Sequence, residues 1–295
     1  MSLFDENSLP PEPPEAAGPE PPESAVTEPI APQPAAAAMR DLPQDLRAPW
    51  GWLDLLLLAV LALAASVLLS LLLGRAFAAF GVKLAQLRAS PSKTGLFTIL
   101  HQVLLFLVLL GYLAAQIRVT FRAPFWRTIG WRALDPGRAP RALRYIAFIA
   151  GGFLLAASIQ IASVAFGNRA KVPMQTLFQD RRTALLLILT AVFFAPVIEE
   201  TIFRGYIYPV VARRFGMVAG VIGTGVIFGL LHAPQLWGGW VQIALLVVVG
   251  IVLTSARAAT RTVLASYLLH VSYNFFTSFA FLLGSHWLRL IPPGH

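Results

Sequence analysis

No cysteine occurs anywhere in the chain. A disulfide framework, thiolate catalysis, an iron–sulfur cluster and a cysteine-bound zinc are therefore excluded, and any metal would rest on His and carboxylate ligands. Charge is scarce as well: 13% of the 295 residues are charged and 57% are hydrophobic, too apolar a balance for a soluble domain. Acidic residues are the scarcest where the chain is most apolar. Nine of the 14 lie in residues 1–45, leaving Asp54, Asp135, Asp180, Glu199 and Glu200 for the rest, while Arg40 alone of the 23 Lys and Arg falls in that first segment. Beyond residue 45, 22 basic residues face five acidic ones, a net +17. In so apolar a chain, basic loops orient helices and meet anionic lipid headgroups, so no nucleic-acid partner is expected.

What is present divides the chain in two. Residues 1–48 hold 11 of the 22 prolines, with Glu and Ala and few large apolar side chains. Such a segment buries too little surface to offset chain entropy and is expected to be a disordered tail. It lacks the basic start of a signal peptide. Residues 49–290 are expected to form an all-α, polytopic transmembrane helix bundle. Apolar runs at 52–73, 96–117, 145–166, 183–198, 217–231, 241–253 and 263–283 predict about seven spans, within a range of six to eight. The 183–198, 217–231 and 241–253 runs are shorter and carry or abut polar residues, as in helices that line a wet cavity or are shielded by neighbours. The 118–144 connection carries seven arginines with Trp126 and Trp131, which suits a basic, aromatic segment at the cytoplasmic interface. A cytoplasmic N-terminus in the cell (inner) membrane follows from it.

Polar residues recur at one-turn spacing inside the later runs. Glu199 and Glu200 follow Pro196, which removes a backbone donor just before the pair. Adjacent helical residues point about 100° apart, so the two carboxylates need not share a role. Glu200 and Arg204, four apart, lie on one face and can neutralise each other. Glu199 is left as the unpaired carboxylate and the candidate general base, its proton affinity raised in a water-poor cavity. Two Glu at the start of a helix also suit its positive dipole end. His232 closes its run one turn after Phe228, where it serves as an interfacial polar residue or, beside Glu199, holds a water or shuttles a proton. Gly225 and Gly229 bracket Phe228 in a spacing that lets a neighbouring backbone approach. His270 and Asn274, one turn apart, suit donation to a developing oxyanion or, equally, interhelical hydrogen bonding. His101 is expected to pack, and His286 and His295 carry no assignment.

Glu199-Glu200-Thr201-Ile202-Phe203-Arg204-Gly205, Phe228-Gly229-Leu230-Leu231-His232 and His270-Val271-Ser272-Tyr273-Asn274 together resemble the CPBP family of CAAX proteases and Abi-type bacteriocin-processing proteins, which includes the type II CAAX prenyl endopeptidases. The resemblance covers about residues 183–283, the expected catalytic core. It implies an intramembrane endopeptidase that hydrolyses a peptide bond in a membrane-associated or lipidated protein or peptide. In that family's pattern Glu199 matches the catalytic glutamate, His232 its partner in activating water, and His270 and Asn274 the groups that stabilise the tetrahedral intermediate. The family is commonly classed with metalloproteases. Glu199, His232 and His270 would be the ligands of a divalent metal such as zinc, with water as the fourth; yet no His-Glu-x-x-His helix is present, and Asn274 suits an oxyanion better than zinc. A glutamate-activated water without an obligatory metal fits these residue types somewhat better.

Two other functions use the same residues. A non-catalytic membrane immunity or scaffold protein would need the polar set only to hold helices together. A transporter would place Glu and His in the membrane too, but no inverted repeat is visible and the polar residues are confined to one half.

Overall fold

The computed structural model describes residues 43–135, 140–166, 173–178 and 180–286. Among them there is no strand, and the body is an all-α bundle of seven principal helices: α1 (Trp52–Ala79), α2 (Pro91–Thr120), α3 (Arg141–Ala165), α4 (Arg181–Phe215), α5 (Met217–Leu231), α6 (Trp240–Thr260) and α7 (Val263–Gly284). α1, α2, α3, α4 and α6 are long and apolar enough to cross a membrane. α5 has only 15 residues, and α7, with 22, carries Ser266, His270, Ser272 and Asn274 along its length.

Local sequence explains where these helices start and stop. Asp180 caps α4, accepting hydrogen bonds from the backbone and hydroxyl of Thr183 at 2.8 and 2.6 Å. Ser90 and Pro91 open α2, with the proline where its missing N–H costs nothing. Thr262 caps α7 through Leu264 N at 3.1 Å. Gly216, at φ +87, makes the sharp turn from α4 into α5.

The run at 183–198 does not end a span as its flanking charges suggested. The helix continues to Phe215, 35 residues in all, because Glu200 and Arg204 pair with each other and their charges no longer oppose burial. α4 is not uniform, however. It widens to π geometry at Thr190–Phe194 and again at Thr201–Ile207, on either side of the α-helical turn Ala195–Glu200 that carries both glutamates. Such turns concentrate at functional sites.

α5 and α6 approach at glycines. A Cβ on Gly250 would lie 2.7 Å from the carbonyl oxygen of Gly225, and one on Gly225 would lie 2.6 Å from the backbone nitrogen of Ile251. α7 lies along both α3 and α6, while α1 packs mainly on α2 and touches the end of α4 through Trp52 and Phe215. The main apolar core gathers residues of α2 and α4 around Leu113, Ile117, Ile129, Ile198, Tyr206 and Phe228.

Residues 1–42 of the expected tail lie outside the described residues. Its last residues are part of the packed body: Gln44–Leu46 form a short 3-10 turn, with Leu46 and Ala48 buried. Arg213 of α4 donates to the carbonyls of Ala48 and Trp50, both at 2.6 Å, and Arg257 of α6 pairs with Asp45 at 3.0 Å. Two arginines far along the chain hold this strap, so composition alone placed the boundary several residues too late.

Candidate active site

α4, α5 and α7 bring Arg204, His232 and His270 against the ring of Phe228, with Glu199 and Glu200 on either side of the His270 imidazole. Glu200 is fully buried, and its Oε1 accepts from two donors: Arg204 Nη1 at 2.8 Å, and His270 Nδ1, also at 2.8 Å. Arg204 is itself fully buried and held further by α6, donating from Nε to Thr254 Oγ1 at 3.1 Å and from Nη2 to the Gly250 carbonyl at 2.9 Å. Its guanidinium lies over the Phe228 ring, 4.6 Å from the centroid. The close approach of α5 and α6 at Gly225 and Gly250 is what puts that carbonyl within reach.

Glu199 points elsewhere, as adjacent helical residues must. Its Oε2 lies 3.7 Å from His270 Nε2, and its side chain is 13% exposed against 0% for Glu200. The expectation of an unpaired Glu199 is thus corrected: it faces the second nitrogen of the imidazole whose first nitrogen is fixed by Glu200. A carboxylate that accepts from Nδ1–H fixes both the tautomer and the plane of the ring. His270 therefore presents Nε2 towards Glu199.

His232 caps the end of α5. Its Nδ1 lies 2.7 Å from the Phe228 carbonyl, and its ring packs on that of Phe228 at 4.7 Å between centroids. Phe228 also meets the edge of His270 at 5.9 Å. Both imidazoles thus touch one aromatic ring, and both have Nδ1 engaged.

Asn274 donates from Nδ2 to the Ala191 carbonyl at 2.7 Å. That carbonyl is freed by the sequence of α4: in the first π turn Ala195 N–H donates to Thr190, and the next donor in the pattern would be residue 196, which is Pro196 and has none. One amide hydrogen of Asn274 completes the backbone of α4.

The residues do not fit a metal ion as arranged. Among the described residues no group of three or more His, Asp or Glu side chains is placed to hold one. Glu199 and His270 approach, but each His has only Nε2 to offer, and the contacts of His232 run to Phe228. The set Glu199, His232 and His270 is therefore not a ligand cluster here, and no step is derived through a metal.

Thr254 and Gly250 were not expected in the site. The signal was there: Thr254 and Arg257 lie just past the 241–253 run, one and two turns beyond Gly250, and an Arg in a helix of span length is a flag in itself. Trp131 was read only as an interfacial aromatic, yet its Nε1 donates to Thr201 Oγ1 at 3.0 Å, beside Glu200.

Residues 181–276, from the first turn of α4 to just past Asn274, match the family model of the Rce1-like type II CAAX prenyl endopeptidases. The chain carries an Rce1-like domain. No curated protein and no solved structure matches the chain. The matched segment includes Glu199, Glu200, Arg204, Phe228, His232, His270 and Asn274, whereas Trp131 and α1, α2 and α3 precede it. The family is one of proteases, and five helices long and apolar enough to cross a membrane make the chain an integral membrane protein.

Proposed function

We propose that the protein is an intramembrane endopeptidase that hydrolyses a peptide bond of a membrane-associated or lipidated protein or peptide, with its N-terminus on the cytoplasmic side. One observation carries the reading: Glu200 anchors His270 at Nδ1 and turns Nε2 to within 3.7 Å of Glu199 Oε2. A single water can contact both atoms at ordinary hydrogen-bond lengths of about 2.8 Å.

Charge balance favours the chemistry. Arg204 and Glu200 cancel, so the buried group is neutral when Glu199 and His270 share one proton between them. With the proton on His270, Glu199 is the base and Nε2–H is a donor. Glu199 then takes a proton from the water as its oxygen attacks the scissile carbonyl, and the oxyanion that forms is met by His270 Nε2–H and the remaining amide hydrogen of Asn274. Glu199 returns its proton to the departing amine as the C–N bond breaks. His232, at the rim on Phe228, holds the water or the substrate carbonyl from the other side. Glu200 and Arg204 do not touch substrate; they position His270.

The test is cleavage of a prenylated CAAX peptide and of unmodified membrane peptides by the full chain in proteoliposomes. Glu199→Gln is expected to abolish turnover, and His232→Ala to lower it by roughly 100-fold or more. Turnover that persists in both variants removes these residues from the mechanism. A chain inactive on all peptides, whose cellular phenotype survives Glu199→Gln, is a scaffold instead.

A further inference from the structure

A π turn is rare and occurs mostly as a single bulge within an α-helix, so what holds the one at Thr201–Ile207 bears on the residues it carries. Thr201 to Tyr206 are all buried. Three of them are met from outside the matched segment 181–276. At the start of the turn, Trp131 Nε1 donates to Thr201 Oγ1 at 3.0 Å. At its end, Trp50 Nε1 donates to the Tyr206 carbonyl at 2.8 Å, and the two rings stack at 4.7 Å between centroids. Between these points Gly205 admits Ile129: a Cβ on Gly205 would collide with that side chain and lie 3.0 Å from its carbonyl oxygen.

Each tryptophan is itself anchored. Trp50 is 1% exposed, and its carbonyl accepts from Arg213 Nη2 at 2.6 Å. The hydroxyl of its stacking partner Tyr206 donates to Gln116 Oε1, and Gln116 Nε2 donates to Asp54 Oδ1 at 2.7 Å. Trp131 follows Gly130, which adopts φ +99 and whose carbonyl accepts from Val263 N at 3.0 Å. Its ring meets that of Tyr267 edge-on at 5.2 Å. The two indoles therefore stand on frames that reach α1, α2 and α7. Tryptophan N–H groups usually find an acceptor when taken from water. That both find theirs on one turn of seven residues is what sets the pair apart.

Arg204 lies between the two fixed points. Its guanidinium reaches Glu200 on α4 and both Thr254 and the Gly250 carbonyl on α6 at once. Were the wide turn to close with all its residues in place, its ends would rotate by about 100° relative to each other, and one set of bonds or the other would break. Glu200 Oε1 in turn holds His270 Nδ1 at 2.8 Å. We propose that Trp50 and Trp131 are positioning residues for the proposed hydrolysis: they clamp the wide turn at its two ends and so keep Arg204, and through Glu200 the His270 imidazole, in place. Neither touches substrate. The effect on turnover rests on the reading of the site as a peptidase, whereas the effect on His270 stands without it.

The test replaces each tryptophan by phenylalanine in the full chain, which keeps a ring for packing and removes the N–H. Trp50→Phe and Trp131→Phe are each expected to lower kcat for a prenylated CAAX peptide in proteoliposomes by roughly tenfold with KM unchanged. Trp52→Phe, whose ring meets Phe215 rather than the turn, should leave both constants as they are. The second readout is heteronuclear NMR of the chain labelled at its five histidines, in which the Nδ1 proton shared with Glu200 is identified by its loss in His270→Gln. Both Trp50→Phe and Trp131→Phe should shift that resonance, and Trp52→Phe should not. A resonance unmoved in both variants overturns the proposal, as does a loss confined to KM or to thermal stability. A wild type that cleaves no peptide, with a His270 resonance that moves in both variants, overturns the hydrolysis and upholds the clamp.

Discussion

α1 and α6 both have the length and apolarity of a membrane span, yet they are different kinds of object. α1 buries only Leu58 and Ala65 of its 28 residues, and Leu53, Leu63 and Leu71 stand more than half exposed, on surface a membrane would cover. α6 buries Gly250, Thr254 and Arg257 together with Ile243, Val249, Leu253 and Ala258, and two of its polar groups hold Arg204. The first kind of helix needs only to be apolar. The second must place particular atoms at particular depths, and it can carry charge only because each charge is met. α4 to α7 follow the second pattern and α1 the first, while α2 supplies part of the main core and α3 meets α7 closely at Gly152, so the candidate site collects in the second half of the chain.

The contrast breaks most sharply at Arg204. Arg204→Met leaves the Glu200 carboxylate buried without its counter-charge and is expected to cost about 3–5 kcal/mol in unfolding titrations of the detergent-solubilised protein. Leu63→Ala in α1 should change stability by less than about 0.5 kcal/mol. Adding Glu200→Gln to Arg204→Met should restore part of the loss, because the orphaned charge is gone; no recovery would mean that the pair is not what costs. Glycines give the next largest effect. Gly250→Val must push Gly225 away and should cost about 1–3 kcal/mol, whereas Gly74→Ala in α1, where nothing lies within 4 Å, should gain roughly 0.5–1 kcal/mol from helix propensity. A loss at both positions would erase the distinction between the halves.

Much of this division was legible beforehand. Apolar runs located the helices, and one-turn spacing singled out Glu200 with Arg204 and His270 with Asn274, since i,i+4 contacts are local properties of a helix. What spacing cannot report is a contact made across 70 residues, and so it missed that Glu200, rather than Glu199 alone, engages His270. The widening of α4 was equally hidden: Pro196 announces a missing donor, but only the fold supplies Asn274 to answer the orphaned carbonyl. Asp45 reads as part of a Pro- and Glu-rich tail, because nothing near it reveals Arg257, 212 positions away.

Two smaller effects sharpen the same contrast. Asn274→Ala should cost about 1 kcal/mol through the Ala191 carbonyl, measured again by unfolding. His101→Ala in α2 should cost less, because the Ser66 carbonyl that contacts its imidazole at 3.0 Å keeps its own helical partner. The smallest effect lies outside the spans, at Asp180. Burial raises the proton affinity of its carboxyl, but hydrogen bonds from Thr183, Ser92 and the Arg182 backbone outweigh it and hold the pKa below the usual carboxylate value. A lowered folded-state pKa contributes stability that is present above the unfolded value of about 3.9 and is lost as pH falls through the folded one. Asp180→Asn should therefore lower stability slightly at neutral pH and flatten the acid limb below about pH 4, where the variant and the wild type converge. An unaltered acid limb would assign that loss to other carboxylates.

Each π turn in α4 accommodates one residue more than an α-helix would, so Ala195–Glu200 is in effect framed by single-residue insertions. A one-residue deletion within Thr201–Ile207 would let the wide turn close to ordinary pitch with both ends of the helix keeping their faces, whereas the same deletion in the regular turn Tyr208–Ala212 would swing the two ends by about 100° relative to each other. Glu200 would then stay with α7 while Arg213 was dragged off the strap, or the reverse. The helix works as a phase shifter, and its timing is set by residue count as much as by residue type.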